Sequence, residues 1–172
     1  GDLPREIHEV YAIYPQDEVP HAERFVEHEI VFLTEYMSYA WGLQFHGCFM
    51  DADGRVYSFE FEEDNYGRPP ESNDRAAFFR SLEKIRKTTK PEKVVDASVV
   101  KQVCDIGCKI DAGADYYGRF AVEYDSGVHR SWFCHPETRE PIMLDMSGED
   151  IMRLEDENAK KLVEMYDSGQ IY

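Results

Sequence analysis

Six residues carry the side chains that zinc or thiol chemistry would use: His46, Cys48, Cys104, Cys108, Cys134 and His135. Imidazole nitrogens and thiolates are the ligands zinc takes most readily. His46 and Cys48 stand two positions apart in a β-compatible run, which projects both from one face of a strand. The run C-D-I-G-C from Cys104 to Cys108 sets two sulfurs around a glycine. These spacings are not the paired CxxC knuckles of a structural zinc site, so buried free thiols are the first expectation. A Cys104–Cys108 disulfide and a zinc site are the alternatives. A cysteine nucleophile needs a neighbouring imidazole and a third group to orient it. Cys134 and His135 are consecutive and point to opposite faces, so they form no dyad. His46 and Cys48 have the right sidedness but no identifiable third member, and no catalytic residue is assigned.

The stretch CFMDADGRVYSFEFEED, Cys48–Asp64, raises a second metal question. With Gly54 as the turn glycine of a calcium loop, Asp51, Asp53 and Glu60 fall at ligand positions, but Phe49 falls where the first oxygen is needed. The flanks alternate with a period of two, and D-A-D-G is turn chemistry, so a β-hairpin accounts for every residue. His46, Cys48, Asp51 and Asp53 remain the candidate metal residues of this region. No cofactor motif is present (GxxxxGK[ST], HExxH, GxGxxG and GxSxG are all absent) and no cofactor is expected.

The 172 residues, 42% hydrophobic and 13% aromatic, are expected to form one α+β domain of antiparallel hairpins packed with three to four helices. No run approaches the eighteen or so apolar residues of a membrane span. The polar start GDLPRE and the tyrosine content suit an exported protein whose leader has been removed.

A net charge of −16 repels nucleic acid and anionic membranes, and points to a basic protein as partner. The exception lies between Arg75 and Lys93. There seven basic residues face only Glu83 and Glu92, a local balance of +5 that leaves −21 for the rest. Lys84, Arg86 and Lys87 in this segment are candidate partner contacts. Tyr116 and Tyr117 are the others, because consecutive strand residues cannot both face one core.

The elements that would position these groups follow from periodicity. Glu6–Tyr14 reads as an opening strand. From His21 to Trp41 the apolar residues gather on one side of a helical wheel, which favours a helix over a competing strand from Glu29 to Tyr39. A hairpin spans Leu43–Glu62, and a loop rich in Gly and Pro follows. A basic helix, capped by Ser72 or Asn73, then buries Phe78, Leu82 and Ile85 and stops at Pro91. A shorter helix runs from an Asp96 cap to Gly107. Strands Tyr116–Tyr124, Val128–His135 and Pro141–Met146 come next, with hairpin chemistry at Asp125–Gly127. Ser147 with Asp150 resembles a capping box that opens a terminal helix with Ala159, Leu162, Val163 and Tyr166 on its buried stripe.

The expected function is a non-enzymatic, acidic binding or interaction module, inhibitor-like or an accessory domain of an exported protein. The alternative is a small hydrolase or metal-dependent enzyme using His46, Cys48 and nearby carboxylates.

Overall fold

The structure, a computed structural model, describes residues 28–38, 42–61, 75–119, 127–148 and 151–172. The expected strand Glu6–Tyr14, the Gly/Pro loop with its caps Ser72 and Asn73, and Asp125 lie outside the described residues. Within them, eight antiparallel strands form one sheet in the order β4-β3-β2-β1-β6-β7-β8-β5. The strands are β1 (Ile30–Ser38), β2 (Gln44–Asp51), β3 (Arg55–Phe61), β4 (Lys93–Val94), β5 (Tyr116–Arg119), β6 (Val128–Cys134), β7 (Pro141–Gly148) and β8 (Ile151–Leu154). Among the described residues three helices accompany them: α1 (Arg75–Thr88), α2 (Ala97–Gly107) and α3 (Glu157–Asp167). The class is α+β, as the sequence suggests.

β1 corrects the helix expected over His21–Trp41. It is a central strand, paired antiparallel with β2 on one side and β6 on the other. Ile30, Val31, Phe32 and Leu33 are all buried, because the sheet is covered on both faces here. Phe32 packs into a core with Val100, Val103, Leu162 and Met165 of α2 and α3. Its neighbour Leu33 enters a second core with Phe45, Phe49, Phe59 and, from α1, Phe78, Phe79 and Leu82. A strand buried on both faces is continuously apolar, and such a run satisfies a helical wheel as well as a strand.

The β2–β3 hairpin forms where expected. Asp51 is 1% exposed, and its Oδ1 accepts the backbone N–H groups of Asp53 and Arg55, each at 2.9 Å. Gly54 takes a φ of +82° with Val95 O packed close behind it, a conformation and a space that only glycine fits. Asp96 caps α2 by accepting the N–H of Ser98 at 2.8 Å.

Two expectations for the C-terminal third need correction. Ser147 does not open a helix: β7 runs through to Gly148, β8 returns beside it, and Asp156 caps α3 through the N–H groups of Asn158 and Ala159. The described part of β5 and β6 are not the hairpin partners expected either. β6 has both edges taken by β1 and β7, and the described part of β5 pairs with β8 at the sheet edge. Among the described residues no helix is long and apolar enough to cross a membrane.

Candidate functional site

Among the described residues, the apolar cover on the α2/α3 face ends partway along the central strands. Beyond Phe32, the next two residues of β1 on that side are Thr34 and Tyr36. The register extends each into a polar row across four strands: Cys48–Thr34–Ser131–Asp145, and His46–Tyr36–His129–Ser147. Tyr166 and Asp167, from the last turn of α3, form a wall beside them. Together they bound a cleft of about 380 Å³.

The second row is an aromatic ladder. The Tyr36 ring lies 5.1 Å from His46 and 4.6 Å from His129, tilted by about 40° to each. Gly127, at a φ of +98°, backs onto the Tyr36 ring so closely that any Cβ would run into its hydroxyl. In the first row, the Cys48 thiol meets Ser58 Oγ at 3.6 Å, and Ser58 donates to Glu92 at 2.6 Å. The nearest partner of the thiol is therefore a hydroxyl and not an imidazole.

Asp145 is the most perturbed group in the cleft. Burial pushes its carboxyl above the ordinary carboxylate range, with Arg153 opposing the shift and Asp167 adding to it. Its Oδ1 is shut from solvent and accepts no hydrogen bond.

Residues alternate across the sheet, so Glu35 lies on the opposite side from Thr34 and Tyr36. There its side chain, fully buried, accepts from Trp132 Nε1 at 2.8 Å and from Arg75 Nη1 at 3.1 and 3.3 Å. The Arg75 guanidinium lies 4.5 Å from the ring centres of both Phe78 and Trp132. This cluster pins α1 to the central strand, and so stiffens the floor of the cleft from behind.

Of the candidate metal residues, His46 and Cys48 share the cleft, while Asp51 ends β2 at its far end and Asp53 lies in the hairpin turn that follows. Among the described residues no group of three or more His, Cys, Asp or Glu stands placed to hold a metal ion. The thiols are dispersed. Cys134 is buried, its thiol pushed up to about 12 by desolvation, and Cys104 and Cys108 sit unbridged at the end of α2. His135 Nδ1 accepts the N–H groups of Glu137 and Thr138 and organises the β6–β7 turn.

The partner-contact candidates separate sharply. Lys84 and Lys87 are exposed, but Arg86 turns inward to a two-point pairing with Glu83 and lies 3.8 Å from Asp51. Arg75 is likewise committed to Glu35. The exposed cations of the segment are then Arg80, Lys84, Lys87, Lys90 and Lys93, the first three at spacings of four and three along one side of α1. Tyr116 donates to Met143 O at 2.6 Å, whereas Tyr117 is 73% exposed. Sequence reasoning missed Tyr36, His129, Ser131 and Asp145. The alternation H-R-S at His129–Ser131 was the available signal, and it became informative only with the register to β1.

Compared with protein-family models, curated proteins and solved structures, the chain matches none of them.

Proposed function

We propose that this chain is a non-enzymatic binding module for a basic protein, and that it makes the contact through the polar cleft. The observation that carries this reading is the pair of polar rows on central strands. An apolar side chain buried at such a position would contribute about 1.5–3 kcal/mol. A fold built for stability alone would use apolar residues there and cover them. This one instead presents hydroxyls, imidazoles and a carboxylate in a recess of an acidic body, which is the make-up of a site that orients a polar ligand. The net charge of −16 supplies long-range attraction for a cationic partner and disfavours nucleic acid.

A hydrolytic role for His46 and Cys48 has weaker support, since the thiol pairs with Ser58 and the imidazole packs tilted against Tyr36. The test is association kinetics of the intact chain with basic and with acidic proteins of similar size. Basic proteins alone should bind, with an on-rate falling at least about tenfold between about 20 and 200 mM salt. His129→Ala and Tyr36→Ala should weaken binding, while Lys84→Glu and Lys87→Glu should not. Binding indifferent to the cleft substitutions would overturn the reading.

A further inference from the structure

Resting on that reading, we propose that the group the cleft takes is an arginine side chain of the partner, held between Asp145 and Asp167. Asp145 Oδ1 lacks a hydrogen bond although a cation of the chain itself is near. Arg153 Nε stands 3.6 Å away, beyond hydrogen-bond length, and Arg153 is 65% exposed. The existing contact is a screened surface pairing that leaves the carboxylate under-compensated. Asp167, at the end of α3, lines the same recess, and its charge acts on Asp145.

Two carboxylates facing one recess ask for a donor that serves both. A guanidinium offers five N–H groups in a planar fork, where an ammonium offers a point charge. The rings of Tyr36, His129 and Tyr166 border the recess, and guanidinium groups stack on such faces. Opposing positive charge is limited. Among the described residues, Arg130 aligns with Glu35 across β1 and β6 and so belongs to the other side of the sheet, which leaves Arg153 as the nearby cation. Arg153 is then a placeholder that an incoming arginine displaces, replacing a long 3.6 Å contact with a hydrogen bond of ordinary length.

The placeholder gives the test an unusual sign: deleting a surface cation should improve binding. Calorimetric titration at low salt uses acetyl-Gly-Arg-Gly-amide, with citrulline in place of arginine as the uncharged analogue of the same shape. The arginine peptide should bind saturably and about tenfold or more tighter than the citrulline peptide. Arg153→Ala should tighten it several-fold. Asp145→Asn and Asp167→Asn should each weaken it, and because Asp167 is exposed its substitution leaves the fold intact. Equal binding of the two peptides, no effect of Asp167→Asn, or weaker binding by Arg153→Ala would overturn the proposal. Decalysine, titrated in parallel, separates the two levels. If decalysine binds while the arginine peptide shows no preference, the arginine site fails and the binding-module reading stands. If neither binds, both fail.

Discussion

Replacing Glu35 by glutamine tests whether the buried cluster behind the cleft holds α1 to the sheet. The substitution keeps the shape and an oxygen for Trp132 Nε1, but removes the charge that Arg75 Nη1 meets at 3.1 Å. Losing a charge-assisted hydrogen bond costs about 1.5–3 kcal/mol. Two terms temper that. Arg75 is 34% exposed and regains some hydration, and it keeps its contacts with the Phe78 and Trp132 rings. Against them, Arg75 Nε and Nη2 already lack partners, so the guanidinium has no reserve. The net is about 2 kcal/mol, or a fall in Tm of about 4–8 °C for a chain of this size. Glu35→Ala orphans the Trp132 N–H as well and should cost about 4 kcal/mol. Replacing both partners, Glu35→Leu with Arg75→Met, removes the stranded cation but still orphans the Trp132 N–H, so it should cost about 1–3 kcal/mol, less than Glu35→Ala. Urea unfolding followed by tryptophan fluorescence reads all three. A Glu35→Gln midpoint indistinguishable from the parent, or a double substitution worse than the sum of the singles, would refute the reasoning.

Three further substitutions probe the frame. Arg86→Ala should cost about 3 kcal/mol, because it strands Glu83, which burial alone would push upward and which Arg86 and the Glu29 N–H hold below the ordinary range; Lys84→Ala and Lys87→Ala should stay within about 0.5 kcal/mol, all read from urea midpoints. His28 is buried, accepts the Ile30 N–H at Nδ1 and contacts Arg139 O through Nε2 at 2.9 Å, which fixes the neutral tautomer. Burial holds it below the ordinary 6.5, so the unfolded chain takes up the proton first. Stability is therefore full above that value and lost as pH falls through it; the drop in urea midpoint from about pH 7.5 to 5.5 should be smaller in His28→Gln than in the parent. Gly107→Ala would gain about 1 kcal/mol of helix propensity, yet its Cβ runs into the buried Phe133 ring, so the net should be destabilising by about 1–3 kcal/mol and relieved by Phe133→Leu, as thermal melts would show.

The parts of the fold legible in the sequence were those governed by local chemistry. Asp51 to Gly54 specifies its turn through the Asp51 carboxylate and a positive-φ glycine, and Asp96 specifies a helix start through one capping oxygen. The elements misread were those decided by what packs against them. Ile30–Leu33 is apolar on both sides because helices lie on both faces of β1, and no single-strand pattern carries that information. Ile151–Leu154 is short and became a strand through its pairing with β5 and β7, overriding the Ser147–Asp150 spacing that suggested a cap. The cleft had the same difficulty. His46 and Cys48 were visible as a same-face pair, but Tyr36 was hidden by the helical reading of its segment, and Asp145 joined them only across two further strands. Arg75 and Arg86 counted as surface charge in the sequence and proved to be internal partners of Glu35 and Glu83. Asp51, a candidate metal residue in the sequence, is instead buried and satisfies two backbone N–H groups of its own turn.

The central claim is that the polar cleft is the contact surface, and backbone chemical-shift mapping of the isotopically labelled chain with a basic protein at low salt tests it most directly. The account predicts the largest shifts at Thr34, Tyr36, His46, His129, Ser131 and Asp145 and in the last turn of α3, all diminishing together as salt rises. Shifts concentrated instead at Arg80, Lys84 and Lys87 on α1, with the cleft residues unmoved, would contradict it.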